Sequence, residues 1–146
     1  MQLLECNEGK ATMAMEVGKR FHNPMGTLHG GILISLADAA MGIALGSTLA
    51  EDETFTTLEL KMNFLRPVIS GRIVAESNVV HRGATIALVD VVVRGDHGKT
   101  VARGTATQMI LKMAKQAFTP ECKKKLRSET GLARRAESPR HSRGEN

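Results

Sequence analysis

The chain has 146 residues, of which 42% are apolar and 24% charged, and this length and balance fit one globular domain with an ordinary core. It has no Trp or Tyr, and its two cysteines, Cys6 and Cys122, are too few and too far apart to indicate a disulfide framework or a metal site. The first residues lack a basic segment followed by a long apolar run, so no secretory signal is predicted and a reducing cytoplasm is the expected location.

The formal net charge of +5 belongs to the C-terminal end of the chain. Residues 1–112 carry 11 Lys or Arg and 11 Asp or Glu, whereas residues 113–146 carry 9 and 4. Because the second segment also lacks hydrophobic periodicity, it is predicted to be a largely disordered basic tail, with a short helix possible at 120–127. A solvated tail of this kind gives no reason to expect a nucleic-acid or membrane partner. The folded domain is predicted over residues 1–112.

The first half of that domain contains one strand and one long helix. Residues 11–20 alternate between apolar and polar side chains, which predicts a strand, and a polar, turn-rich segment follows at 22–26. Residues 30–49 are rich in Ala, Leu, Ile and Gly and are long enough to span a bilayer. Their many small residues and the acidic side chain of Asp38 instead favour a helix buried within the protein.

The second half alternates strongly and is dense in Val, Ile and Thr. Strands are predicted near 54–65, 72–81, 85–94 and 100–112, separated by turns at 67–71, 82–84 and 95–98. Such short links favour an antiparallel meander. One long buried helix with four or five long strands predicts an α+β fold in which a curved antiparallel sheet wraps around the helix.

Asp38 and Gly30 are the residues of this helix that could carry chemistry. A carboxylate in an apolar helix is costly to bury unless it is paired or functional, so Asp38 is either locally exposed and bonded to its neighbours or a catalytic base or nucleophile. Gly30 begins the helix, where free N–H groups and the helix dipole suit a developing oxyanion, although many helices simply start with such a turn. Glycine also lets a substrate carbonyl approach closely.

The spacing of these two residues predicts a shared site. They are eight residues apart, about 12 Å along a helix. A base so far from its own helix start is badly placed to act on a carbonyl held there. Asp38 of one chain is therefore expected to meet Gly30 of another across a two-fold axis, with two equivalent sites per dimer.

Two adjacent segments carry a family pattern. Residues 22–31 read HNPMGTLHGG and residues 32–42 read ILISLADAAMG, which places an Asn six residues before HGG and then LAD-x-A-x-G. This pattern resembles the PaaI-like branch of the hotdog-fold acyl-CoA thioesterases, which also holds the thioesterase-superfamily member 2 type and one class of 4-hydroxybenzoyl-CoA thioesterases. The segments NFLRP at 63–67 and GKTVA at 98–102 are similar to the same family, so the likeness covers roughly residues 10–112.

The resemblance implies a hotdog fold and hydrolysis of an acyl- or aryl-acyl-CoA to the free acid and CoA, without a metal or cofactor. Asp38 would be the general base or nucleophile, and the Gly30 N–H would polarise the carbonyl with help from Asn23. His29 would either act near the carbonyl or only cap the helix and fix its loop. A Thr at the start of the strand after the helix would orient the attacking water, and that residue is Thr57 with an uncertainty of one position.

The resemblance also implies a CoA-binding turn and an assembly. The turn consists of Arg82, Gly83, Ala84 and Thr85, with Arg66 as a further basic candidate, because Arg suits phosphate groups. A single Arg at a hairpin is more often a solvated charge. The implied assembly is a homotetramer, a dimer of dimers whose dimers share active sites.

Two other functions remain open from sequence alone. Another hotdog enzyme, such as a hydratase or dehydratase, would act on the acyl chain, but the D-x-N-x-x-H hydratase motif is absent from the sequence. A non-catalytic acyl-CoA-binding protein could keep the same fold. No GxGxxG or GxxxxGK[ST] loop is found, which argues against nucleotide-cofactor chemistry of those types.

Overall fold

The computed structural model describes residues 1–113, which form one six-stranded antiparallel sheet and one long helix. The strands are β1 (Gln2–Asn7), β2 (Lys10–Val17), β3 (Glu53–Phe64), β4 (Gly71–Arg82), β5 (Ile86–Arg94) and β6 (Thr100–Lys112), and the helix is α1 (Gly30–Gly46). Short 3₁₀ turns occupy Lys19–Phe21 and Asp96–Gly98. Because α1 contacts all six strands, the predicted α+β architecture with a sheet around one helix is confirmed. None of these described helices is long and apolar enough to cross a bilayer.

The helix is apolar or small at almost every position, and its buried residues recur with helical spacing, so they form one face. The buried positions are Leu33, Leu36, Ala37, Ala40, Met41, Ala44 and Leu45. The helix ends at Gly46, three residues before the predicted end. Just after that end, the Ser47 Oγ accepts a 2.9 Å hydrogen bond from the Gly9 amide and ties the end of α1 to the turn between β1 and β2.

The inner face of the sheet supplies the other half of the core. On β5, Ala87, Val89, Val91 and Val93 alternate with outward side chains and are at most 1% exposed. On β4 the buried Ser77 is the one polar interruption, and its hydroxyl lies 2.8 Å from the Ala40 carbonyl oxygen of α1 and 3.0 Å from that of Ala11 on β2. The helix is therefore held to the sheet by a buried hydrogen bond as well as by apolar packing.

The strand order corrects the predicted meander. Of the four strands β3 to β6, only β4, β5 and β6 are neighbours in chain order, and the full order of the sheet is β1-β2-β4-β5-β6-β3. The short link at 65–70 does not join neighbouring strands. It crosses β6 and β5, a span of about 14 Å at the usual strand spacing, which six extended residues can bridge. The link is anchored midway, where the Val68 carbonyl accepts a 2.7 Å bond from the Leu28 amide just before α1.

Strand β1 was not predicted. It pairs only with β2, and four of its six residues are exposed. An edge strand with so little buried surface has no clear apolar alternation, so the signal that identified the other strands is missing. The strand predicted at 11–20 corresponds to β2, which stops at Val17 before the 3₁₀ turn.

A bulge in β3 sets which of its side chains face the helix. Thr57 pairs with Gln108 of β6, but the next paired residue is Glu59, so Leu58 is an extra residue. The inward side therefore changes from odd to even positions at Leu58. The Phe55 ring lies against Gly42 at one end of α1, and the Phe64 ring lies against Gly30 at the other.

Gly104 on β6 is expected to be essential for this β3–β6 pairing. A Cβ at this position would lie 2.6 Å from the Lys61 carbonyl oxygen and 3.1 Å from the Met62 sulfur, closer than packed atoms allow. Gly104→Ala should therefore lower the free energy of unfolding by about 1–3 kcal/mol, measured by urea titration. Gly18→Ala is the matched control, because no atom lies within 4 Å of a Cβ there. Equal unfolding midpoints for the two variants would contradict this account.

Candidate active site

Asp38 and Thr57 form the centre of the site. Asp38 is half-buried on α1, next to the fully buried Ala37. The Thr57 hydroxyl donates to Asp38 Oδ1 over 3.2 Å, whereas no described residue donates to Oδ2. Thr56 is exposed on the other face of β3. Of the two threonines considered from sequence, the structure thus brings Thr57 to Asp38.

Gln108 extends this contact into the core. It is 0% exposed, and its Nε2 donates to the Thr57 Oγ1 over 3.3 Å. Gln108 pairs with Thr57 on one side and with Ala87 of β5 on the other. A chain of hydrogen bonds therefore runs from the buried Gln108 through the half-buried Thr57 to Asp38.

Asn23 organises the loop before the helix. Its Oδ1 accepts from the amides of Met25 (3.0 Å) and Thr27 (3.2 Å), and its Nδ2 donates to the Thr27 hydroxyl over 3.0 Å. A backbone hydrogen bond also joins Asn23 to Thr27, since the Asn23 amide donates to the Thr27 carbonyl over 2.8 Å. One Nδ2 hydrogen has no acceptor within residues 1–113, so it can still reach a substrate oxygen.

His29 and Gly30 form the helix start. His29 Nδ1 accepts a 3.0 Å bond from the Gly31 amide, so the imidazole caps α1 and must be unprotonated at that nitrogen. No acceptor in the described part of the chain binds the Gly30 amide, as expected for the first turn of a helix. The Phe64 ring packs against the Cα of Gly30, and a Cβ at position 30 would lie only 3.0 Å from the ring. Any residue larger than glycine at position 30 would therefore press on Phe64.

Within one chain, the carboxylate and the helix start lie at separate points. Thr57 meets Asp38, while Phe64, seven residues later on β3, meets Gly30. The loop of Asn23 joins the Gly30 end, because the His29 amide donates to the Phe21 carbonyl over 2.9 Å. Asn23, His29 and Gly30 are thus brought together with one another, and Asp38 is brought together with Thr57.

The predicted CoA-binding residues are divided in the same way. Arg82 forms an ion pair with Glu53 at the start of β3, and the turn of Gly83, Ala84 and Thr85 follows it. Arg66 instead donates to the Thr100 carbonyl over 2.6 Å at the start of β6. These two places are separated by almost the whole of β6, about 40 Å at 3.3 Å per residue. One chain therefore does not bring Arg66 to the Arg82 turn.

Glu53 neutralises part of the charge beside that turn. Its pKa is lowered mainly because the Ala50 amide donates to the carboxylate, and the charges of Lys112 and Arg82 lower it further. Lys112 also pairs with Asp52, which raises the pKa of the lysine. Arg82 is thus held in place by an acidic partner, and a phosphate would have to share it with Glu53.

Two residues near the site were missed by sequence reasoning. Gln108 had a signal, because it is polar at an inward position between the buried Ala106 and Ile110 of a strand. Phe64 lay within the NFLRP segment but was not assigned to the site. Within residues 1–113 no three His, Cys, Asp or Glu side chains lie close enough to hold a metal ion.

Known proteins resemble this chain in sequence. A family model described as the thioesterase superfamily matches residues 25–102. The 1,4-dihydroxy-2-naphthoyl-CoA hydrolase of Listeria monocytogenes is 26% identical over 115 residues, covering 79% of this chain and 94% of its own. The medium/long-chain acyl-CoA thioesterase YigI of Escherichia coli is 31% identical over 96 residues, covering 57% and 62%.

The fold is also found among solved structures. The PaaI protein of E. coli, from the phenylacetic acid degradation operon, superimposes with a TM-score of 0.71 at 27% identity, over 77% of this chain and 82% of that one. The predicted hotdog fold and the PaaI-like resemblance are therefore confirmed. Because the family model covers more than half of the chain, the protein belongs to the thioesterase superfamily and is a thioester hydrolase.

Proposed function

We propose that this protein hydrolyses acyl- or aryl-acyl-CoA to the free acid and CoA, with Asp38 as the catalytic carboxylate. The observation that supports this most is the environment of Asp38. It is the one carboxylate of a helix that is otherwise apolar or small, with one oxygen held by Thr57 and the other left for a reacting group. A half-buried carboxylate with this single contact, on an otherwise apolar helix, loses part of its hydration and is more readily explained by a function.

The chemistry can follow either of two routes. As general base, Asp38 takes a proton from water while the water oxygen attacks the carbonyl carbon. As nucleophile, Asp38 forms a mixed anhydride that water then hydrolyses. In both, the negative carbonyl oxygen is stabilised by the Gly30 N–H and the Asn23 side-chain amide, and the C–S bond breaks to release CoA as the thiolate. Thr57, which the resemblance assigns to orienting the attacking water, donates to Asp38 and is proposed to keep the carboxylate oriented as well.

The substrate class is proposed from the relatives that match. One of them hydrolyses an aryl-CoA and another acts on medium- and long-chain acyl-CoAs. Their common part is the CoA thioester. The turn from Arg82 to Thr85, with Arg66, is proposed to bind the CoA portion.

The free edge of β3 supports a site shared by two chains. Within residues 1–113, β3 is paired only with β6, and its other edge presents unpaired backbone groups along twelve residues, with Leu58 52% exposed. Such an edge favours pairing with another strand. If β3 pairs antiparallel with its own copy, the Phe64 end of one strand lies beside the Thr57 end of the other. That would bring Gly30 and Asn23 of one subunit to Asp38 of its partner.

The same pairing would reunite the two basic regions. Arg66 follows the Phe64 end of β3, and Arg82 is paired with Glu53 at the opposite end. In a two-fold dimer the Arg66 of one subunit would therefore approach the Arg82 turn of the other. A homotetramer built from two such dimers and a cytoplasmic location belong to the same proposal.

A turnover panel tests this function. The full-length protein is incubated with phenylacetyl-CoA, 4-hydroxybenzoyl-CoA, a medium-chain acyl-CoA and a 2-enoyl-CoA, and free thiol is measured together with the acid. We expect equal amounts of thiol and acid from at least one thioester. Hydration of the enoyl-CoA without thiol release would identify a hydratase instead. Tight binding without any product would indicate an acyl-CoA-binding protein.

A further inference from the structure

Gln108 has an environment that neither packing nor the proposed chemistry has yet explained. Its side chain is completely buried, yet its Oε1 receives no hydrogen bond from any described residue. On the side away from Thr57, the paired residue of β5 is Ala87, which offers only a methyl group. A buried, unpartnered carbonyl costs stability, so its retention calls for a physical reason.

The single proton of Thr57 supplies that reason. A carboxylate oxygen accepts hydrogen bonds, and in the contact of 3.2 Å the Thr57 hydroxyl donates its proton to Asp38 Oδ1. Thr57 Oγ1 then has only lone pairs to offer Gln108. Gln108 must therefore turn its Nε2 toward Thr57, where it lies 3.3 Å from Oγ1, and its Oε1 is left toward the apolar side. With the amide reversed, Oε1 and Asp38 would compete for one proton.

We propose that Gln108 is a positioning residue, whose amide locks the Thr57 hydroxyl as a donor to Asp38 and so fixes the carboxylate for attack. This inference rests on the proposed role of Asp38. Gln108 reaches the reaction only through Thr57 and touches no substrate.

A comparison with Ser77 separates this role from a structural one. Within residues 1–113, Ser77 is the other buried polar side chain on the inner face, and its hydroxyl donates to carbonyl oxygens of β2 and α1. It joins elements of the fold. The Gln108 side chain forms its hydrogen bond only with the side chain of Thr57. The strands of these two residues, β6 and β3, are already paired through their backbones. The contact of Gln108 therefore adds little to the fold and acts on the orientation of Thr57.

The test replaces Gln108 by Met, which keeps the length and volume of the side chain but cannot donate. We expect kcat to fall about three- to tenfold, the effect of one net hydrogen bond, with KM unchanged. The unfolding temperature should stay the same or rise, because the unpartnered carbonyl is removed. In a Thr57→Val background the same change should leave kcat unaltered, since the proposed route no longer exists. Gln108→Leu serves as the second variant if the Met protein does not fold.

Controls distinguish failure of this inference from failure of the proposed function. Thr107→Val changes the next residue of β6, which faces outward, and should keep wild-type kcat and KM. If Asp38→Asn is inactive while Gln108→Met keeps wild-type kcat, only the role of Gln108 is wrong. A Gln108→Met protein with lower stability and normal kcat, or an equal loss of kcat in both Thr57 backgrounds, also overturns it. If Asp38→Asn turns over normally, the proposed function itself fails.

Discussion

Asp38→Asn is expected to lower kcat at least about 100-fold, because removal of a general base typically costs 10²- to 10⁴-fold. Asparagine keeps the shape of the side chain and can still accept a hydrogen bond from the Thr57 hydroxyl, so the fold and the oligomer should persist. The change removes the charge that is proposed to take a proton from water or to attack the acyl carbon. The measurement is thiol release at saturating acyl-CoA, with thermal unfolding and gel filtration to verify the protein.

Asp90→Asn is the matched control for this change. Asp90 lies on β5 between the buried Val89 and Val91, so its side chain points to the outer face of the sheet, away from α1. The same chemical change there should leave kcat within about twofold of wild type, as expected for a surface substitution. If Asp38→Asn also retained near-normal turnover, Asp38 would be a structural carboxylate.

The proposed sharing of the site between two chains predicts that two inactive variants rescue one another. Asp38→Ala removes the carboxylate. Asn23→Ala removes the side-chain N–H group that is proposed to donate to the substrate carbonyl, together with the hydrogen bonds that hold the loop of Asn23. In a mixed dimer, one site carries both lesions and the other carries neither. Random pairing makes half of the dimers mixed, so activity should return to about a quarter of wild type if the sites act independently. The measurement is turnover after unfolding and remixing of the two proteins.

A third chain provides the control for rescue. Asp38→Ala mixed with the double variant, Asp38→Ala with Asn23→Ala, contains no intact carboxylate and should stay inactive whatever the pairing. Mass spectrometry establishes that mixed dimers are present in both preparations. If the first mixture keeps the average activity of its two parents, each site is built within one chain, and the eight-residue spacing of Gly30 and Asp38 would need another explanation.

Much of the fold could be predicted because its signals are local. A long run of apolar and small residues identified α1, and apolar alternation identified five strands, all to within a few residues. Edge strand β1 was not predicted, because it buries too little side-chain surface to show an apolar alternation. The neighbour of β3 could not be inferred from the short link after it, because a six-residue segment can either turn back or cross two strands. That choice depends on the long-range pairing with β6.

The site could be predicted less completely. Asp38 stood out as a charge in an apolar helix, and the spacing to Gly30 indicated that they act in different chains. The contact of Thr57 with Asp38 needed the register of β3, which a strand pattern alone leaves uncertain by one residue. Gln108 could not be connected to Asp38 from sequence, because its link passes through the pairing of β6 with β3 and then through the contact of β3 with α1.

The extra residue Leu58 limits which insertions and deletions β3 can accept during evolution. The sheet repeats every two residues, so β3 without its extra residue would present either Thr57 or Phe64 to the helix, but not both. Loops elsewhere can gain or lose residues while the side chains of Thr57 and Phe64 keep their orientation toward the helix. Between positions 57 and 64, a gain or loss of one residue would reverse which side chains of half the strand face the helix. The segment therefore tolerates replacement of its side chains far better than any alteration of its length.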